Sequence, residues 1–101
     1  MSICSSESPD GKELVIHIKG RFDFSTHQDF RSAYEDHQEA PEAYVVDLSE
    51  ATYLDSSALG MLLLLRDHAG GDSHKVRIVN CNPDVKKILS ISNFEQLFTI
   101  Q

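Results

Sequence analysis

Asp55-Ser56-Ser57 is the stretch of this chain whose residue types and spacing best suit chemistry. All three residues are N-cap formers, and a strongly apolar run from Ala58 to Ala69 follows at once. A helix opening there presents unpaired backbone N–H groups and the positive end of its dipole. Both favour an added phosphate, so a serine at that place, such as Ser56, is a sensible phosphoacceptor. The competing reading is plain capping by Asp55 and Ser56. Ser57 is the rival acceptor. One residue deeper in the helix, its hydroxyl is expected to bond backbone. Thr52 and Ser25 are weaker candidates, and Ser25 is accounted for as a cap. A hydrolytic role for Ser56 would require a neighbouring base and an oxyanion pocket. Asp-Ser-Ser is not a Gly-x-Ser-x-Gly elbow, which leans against that chemistry.

The remaining reactive side chains form no pattern. The histidines, at 17, 27, 37, 68 and 74, lack metal-ligand spacing. They read as surface or packing residues, with a chance metal contact conceivable only around His68, His74, Asp67 and Asp72. Cys4 and Cys81 form no Cys-x-x-Cys pair and are too few for a disulfide framework, so free thiols in a reducing compartment are expected. There is neither a P-loop nor a Gly-x-Gly-x-x-Gly, and no cofactor is expected.

These residues must be positioned by alternating strands and helices. Ser8-Pro9-Asp10-Gly11 is a turn signal, with a short extended segment around Ile3 before it. Leu14, Ile16 and Ile18 alternate with Val15, His17 and Lys19, predicting a strand that Gly20 ends. Ser25 and Gln28 fit a capping box. Phe30, Ala33, Tyr34 and His37 then predict an amphipathic helix to about Glu39, closed by Pro41. Tyr44 to Leu48 is apolar on both faces, as a covered central strand requires. A crossing of about six residues, Ser49 to Leu54, leads to the apolar helix, which Gly70-Gly71 ends. Lys75 to Cys81 predicts another strand, and Asn82-Pro83-Asp84 a helix start with a cap, a first-position proline and a first-turn acid. Val85, Ile88 and Leu89 give that helix its inner face. Asn93 is a left-handed stop, and Leu97 to Ile100 a last short strand. The alternation argues for one α/β domain over residues 1–101, with its core from about residue 12 and a largely parallel sheet.

Composition narrows the function. Nine Lys and Arg stand against sixteen Asp and Glu, a net charge of -7, so nucleic-acid binding lacks its basic footprint. The longest fully apolar run, Met61 to Leu65, is far short of the ~20 residues a membrane span requires. Only three residues precede Cys4, which leaves no room for a lipoprotein signal region. The cytoplasm is the expected location.

Asp55 to Gly60, Asp-Ser-Ser-Ala-Leu-Gly, follows an apolar strand ending in Asp47-Leu48 and resembles the signature of STAS-domain anti-sigma factor antagonists. Gly20-Arg21-Phe22-Asp23 resembles the same family's Gly-x-x-Asp, and Asn82 to Leu89 its third-helix start. The resemblance spans nearly the whole chain. It implies a mixed, mostly parallel sheet of four to five strands with helices mainly on one face. It implies no catalysis, with Ser56 the phosphoacceptor and Asp23 near it. It also implies an anti-sigma factor partner, a partner-switching serine kinase and a PP2C-type phosphatase, a receiver-domain fusion being one arrangement of the switch protein. The unmodified form would capture the anti-sigma factor and free the sigma factor. Ala58 stands where that family commonly has Gly, and Arg21 where it frequently has an acid. A standalone STAS subunit of a transporter ATPase is the alternative, although those relatives often carry Thr at the Ser56 position.

The switch has a physical form. A phosphate on Ser56 would bring roughly -1.5 to -2 charges beside Asp55, and Asp23 is expected close by. Leu54, Leu59 and Met61, with part of Leu62 to Leu65, are expected either to form an exposed docking patch with Ser57 and the acids or to be wedged against the sheet.

Overall fold

The computed structural model describes residues 3–35, 41–71 and 75–100. Ile3–Glu7 (β1) and Glu13–Phe22 (β2) form an antiparallel hairpin. Its turn is held at Asp10, whose carboxylate accepts from Ser8 Oγ at 2.6 Å and the Lys12 amide at 3.0 Å. A 3-10 turn, Phe24–Thr26, leads into α1, His27–Glu35. Next come β3, Ala43–Leu54; α2, Ser56–His68; β4, Val76–Val79; and α3, Pro83–Ile91. A second 3-10 turn, Phe94–Gln96, precedes β5, Thr99–Ile100.

The sheet order is β1-β2-β3-β4-β5, and every pair after the hairpin is parallel. Parallel strands laid down in sequence with right-handed crossovers place each connecting helix on the same side. The core follows suit. Leu14, Ile16 and Ile18 of β2, Tyr44, Val46 and Leu48 of β3, and Val76 and Ile78 of β4 pack with Phe30 and Tyr34 of α1, Leu62 and Leu65 of α2, and Val85 and Leu89 of α3. The alternate strand residues lie on the uncovered face. There Arg77 of β4 pairs with Glu13 of β2 across β3, and His17 pairs with Asp47 at 3.2 Å. This is an α/β domain with a mixed, mostly parallel five-stranded sheet and three helices, as the strand–helix alternation predicts.

Three local expectations are corrected. Gly20 does not end β2. At φ +78 it sits within a register shift between Gly20 and Arg21, and the strand continues to Phe22, which is wholly buried. Glycine marks a bulge here rather than a stop. Ser49 to Leu54 is not a crossing. β3 continues through it, Lys19 to Phe22 pairing with Glu50 to Leu54, and Ala51 and Leu54 are buried. Finally, Ser25 is not the cap of the first helix. Asp23 caps the 3-10 turn by accepting from the Ser25 amide at 3.0 Å, while Ser25 Oγ donates to the same carboxylate. The α-helical part of α1 therefore begins at His27. The expected continuation of α1 to Glu39, with His37, lies outside the described residues.

The other helix signals match. Asn82 Oδ1 accepts from the Val85 amide at 2.9 Å, Pro83 occupies the first turn, and Asn93 is left-handed at φ +60. The last strand is shorter than expected, because the 3-10 turn after Asn93 delays extended backbone until Thr99.

Candidate functional site

The carboxyl ends of parallel strands are where α/β sheets place their sites, because each strand there feeds a helix N-terminus. In this chain the ends of β2 and β3 are directly registered, Phe22 opposite Leu54. The Asp55 amide donates to the Phe22 carbonyl at 3.4 Å. The next residue on β2 is Asp23 and the next on β3 is Asp55, so the two acids leave the sheet side by side, each capping the helical turn after it. Asn82, after β4, caps α3 and donates from Nδ2 to the Ala51 carbonyl at 2.8 Å, joining the third helix start to β3.

Asp55 accounts for the capping of α2. Its Oδ1 accepts from the Ala58 amide at 2.8 Å, and its carbonyl from the Leu59 amide at 3.3 Å. Ser56 is then the first helical residue, exposed, and Ser57 the second, half-buried. Among the described residues neither hydroxyl makes a hydrogen bond within the chain. Their amides belong to the first turn, which has no intrahelical acceptor. The expectation that the Ser57 hydroxyl bonds backbone is not met. The hydroxyl of Ser56 is unused by the fold and open to solvent.

Asp23 is held as an anion. Hydrogen bonding from the Ser25 side chain, then from its amide, together with the Arg21 charge, keeps the carboxyl below the usual carboxylate range despite some desolvation. Arg21 Nε lies 3.5 Å from Asp23, and the guanidinium stacks 4.8 Å over the Tyr53 ring. The basic residue at the strand end thus has partners already.

The expected docking residues divide. Leu54 is 2% exposed and Met61 6% exposed, so neither belongs to an exposed apolar patch. Leu54 points inward because β3 carries one residue more than β2 at each of two register shifts, and Met61, beside Leu62 and one turn before Leu65, is on the buried side of α2. Leu59 is half-buried against the core. The outward stripe of α2 is Ser56, Gly60, Leu63, Leu64 and Asp67, at helical spacing. Leu64 is 56% exposed and borders a groove of about 210 Å³ between α1 and α2, lined also by Phe30, Tyr34 and Met61. Phe24, 67% exposed and stacked on His27 at 5.1 Å, was missed in the sequence. The signal was an aromatic placed in the turn between Asp23 and Ser25, off any helical stripe.

The described histidines behave as packing or pairing residues. The His68 ring packs tilted against Tyr34 at 4.9 Å, and His17 is pinned to Asp47 on the uncovered face. Among the described residues no group of His, Cys, Asp and Glu could hold a metal ion. His74 and Asp72 lie outside those residues. Cys4 and Cys81 are free thiols, and no described helix is long and apolar enough to cross a membrane.

Comparison with known proteins agrees with this geometry. The chain is 65% identical over 100 residues to a STAS-domain containing protein of Pseudomonas aeruginosa (strain UCBPP-PA14), covering 99% of each. Bacillus SpoIIAA, an anti-sigma factor antagonist, shares the fold in its unphosphorylated and phosphorylated forms, with TM-scores of 0.74 and 0.72 at 16% identity. Those likenesses cover 98% of this chain and 86% and 90% of theirs. A sulfate transporter family protein from Wolinella succinogenes also shares it, with a TM-score of 0.73 at 12% identity over 89% of this chain and 78% of that one. The family described as MlaB, STAS domain matches residues 5–99, and the chain belongs to the STAS domain family.

Proposed function

We propose that this chain is an anti-sigma factor antagonist whose binding is gated by phosphorylation of Ser56. The observation that carries the reading is the Ser56 hydroxyl: exposed at the first position of α2 and unused by the cap. The docking face is the outward stripe of α2 with Leu63, Leu64 and Phe24, bordered by Ser57, Asp55 and Asp23. Leu59 supports this stripe from beneath, and Leu54 and Met61 serve it only as core. Unmodified protein captures the anti-sigma factor and releases its sigma factor. A serine kinase modifies Ser56 and a PP2C-type phosphatase restores it. The domain performs no catalysis of its own and works in the cytoplasm.

The electrostatics suffice for a switch. A partner carboxylate about 5 Å from the phosphate would add roughly 3 kcal/mol of repulsion per charge pair at an effective dielectric near 20. About 2.7 kcal/mol already corresponds to a hundredfold loss of affinity. Since Arg21 is engaged by Asp23 and Tyr53, it is a poor counter-charge for the new anion.

The test is a pull-down of the anti-sigma factor with Ser56→Ala, Ser56→Asp and enzymatically phosphorylated protein. Ser56→Ala is expected to retain the partner and the phosphorylated form to lose it at least a hundredfold, with Ser56→Asp between them. Equal recovery by all three would overturn the mechanism. The transporter-subunit reading draws on the fold shared with the Wolinella protein, but its relatives often carry Thr where this chain has Ser56. Recovery of a transporter ATPase instead of an anti-sigma factor would favour it.

A further inference from the structure

A second groove lies on α3, at the sheet edge opposite β1, and the proposed Ser56 switch does not use it. Pro83, Lys86, Lys87, Ser90 and Ile91, with Ile100 of β5, line a groove of about 470 Å³. The helical residues form one stripe: Pro83, Lys87 and Ile91 at i, i+4 and i+8, with Lys86 and Ser90 beside them. Val85 and Leu89 bury the opposite side of the helix and anchor it to the core. Ile91 is 73% exposed, more than any other large apolar residue described, so the core does not require it there.

The charge of the groove stands out against the rest of the chain. The protein carries -7 overall, yet among the described residues no acidic side chain lines the groove. Among the described residues neither Lys86 nor Lys87 has a carboxylate within ion-pairing distance, whereas Lys19, Arg21, Arg31 and Arg77 all do. The only acid of α3 is Asp84, in its first turn. The surface is therefore an apolar floor flanked by two unpaired ammonium groups.

We infer that this groove docks an acidic amphipathic segment of a second protein, helical when bound. Charge complementarity selects the acid, and Ile91, Pro83 and Ile100 select the apolar anchors. Among the described residues β5 offers Thr99–Ile100 as ladder, too short to template an added strand, so side-chain docking along α3 dominates. Nine residues of helix give a groove about 14 Å long, enough for roughly three turns of a partner helix. Since the Ser56 end is reached from β3 and this groove from the edge strand, the two surfaces can be occupied independently.

The test uses the full chain, isotope-labelled, and a synthetic peptide of about fourteen residues with Leu at i, i+3, i+4 and i+7 and Glu elsewhere. Saturable NMR shifts are expected over residues 83–91 and 99–100. Lys86→Glu with Lys87→Glu should weaken binding about tenfold or more, and Ile91→Ser by a comparable factor, with the thermal midpoint of each variant close to wild type. Phosphorylation of Ser56 should leave the titration unchanged, which separates this inference from the switch itself. Absence of saturable shifts, shifts centred on Phe24 and Leu64, or equal binding of a Lys-for-Glu peptide would overturn it. So would a lysine-dependent association with phosphatidylglycerol vesicles in place of the peptide, which would assign the surface to a membrane.

Discussion

The starts of α2 and α3 are built alike and differ in what the cap leaves over. Each follows a parallel strand, and each has a cap residue accepting from an amide three residues on, Asp55 at 2.8 Å and Asn82 at 2.9 Å. At α3 the next residue is Pro83, which has neither an N–H nor a hydroxyl, and the cap amide is tied to the Ala51 carbonyl. At α2 the next residue is Ser56, whose side chain is left over once Asp55 has capped. Capping therefore says where a helix begins and not whether its mouth is chemical. A modifiable site requires a hydroxyl that the fold has no use for.

That contrast can be broken or sharpened by substitution. Leu62→Ala and Leu89→Ala each remove a wholly buried side chain behind one of the two helices and should cost about 2–5 kcal/mol in urea unfolding. If the helices share one cooperative core, both variants should unfold in a single transition with unchanged denaturant slope. Asn82→Ala should cost about 1.5–3 kcal/mol, more than Asp55→Ala at about 1 kcal/mol, because it also strips a partner from the half-buried Ala51 contact. Equal costs would mean that the tie to β3 contributes nothing.

The acid limb should be gentler. Partial burial raises the Asp47 carboxyl, but hydrogen bonds from Ser49 and Asn80 and the His17 charge outweigh it and hold the group below its ordinary 3.8. Asp23 is lowered too. A lowered folded value stabilises the protein fully above the unfolded value and is lost as pH falls through it. Stability should decline below about pH 4, and Asp47→Asn should flatten that decline in thermal melts. The smallest structural effect is expected from Phe24→Ser, within about 0.5 kcal/mol of wild type, since the ring is mostly in water. Partner binding should nonetheless fall by about tenfold, which calorimetry would measure.

Much of this was readable before the fold. The alternation of Leu14, Ile16 and Ile18, the Asn-Pro-Asp start of α3 and the left-handed Asn93 all stood where local physics puts them. The failures share one cause, that a local signature had two tertiary meanings. Glycine after a strand marks a stop or a bulge, and at Gly20 only pairing with β3 decides. Ser49 to Leu54 has loop composition, yet its residues meet a partner strand across the bulge. Leu54 and Met61 are as apolar as Leu64, and only the direction in which each leaves its element separates core from surface. Asp23 and Ser25 can both cap, and the backbone reached Asp23 first.

Gly20 carries a consequence beyond its own turn. Left-handed at φ +78, it stands at the second of two places where β3 carries one residue more than β2, just before Phe22 and Leu54 pair and Asp23 and Asp55 leave the sheet. A side chain forced into that left-handed backbone would strain the strand end while leaving the helices standing, so in the proposed switch the placing of both acids depends on a glycine that lies outside the helix mouth.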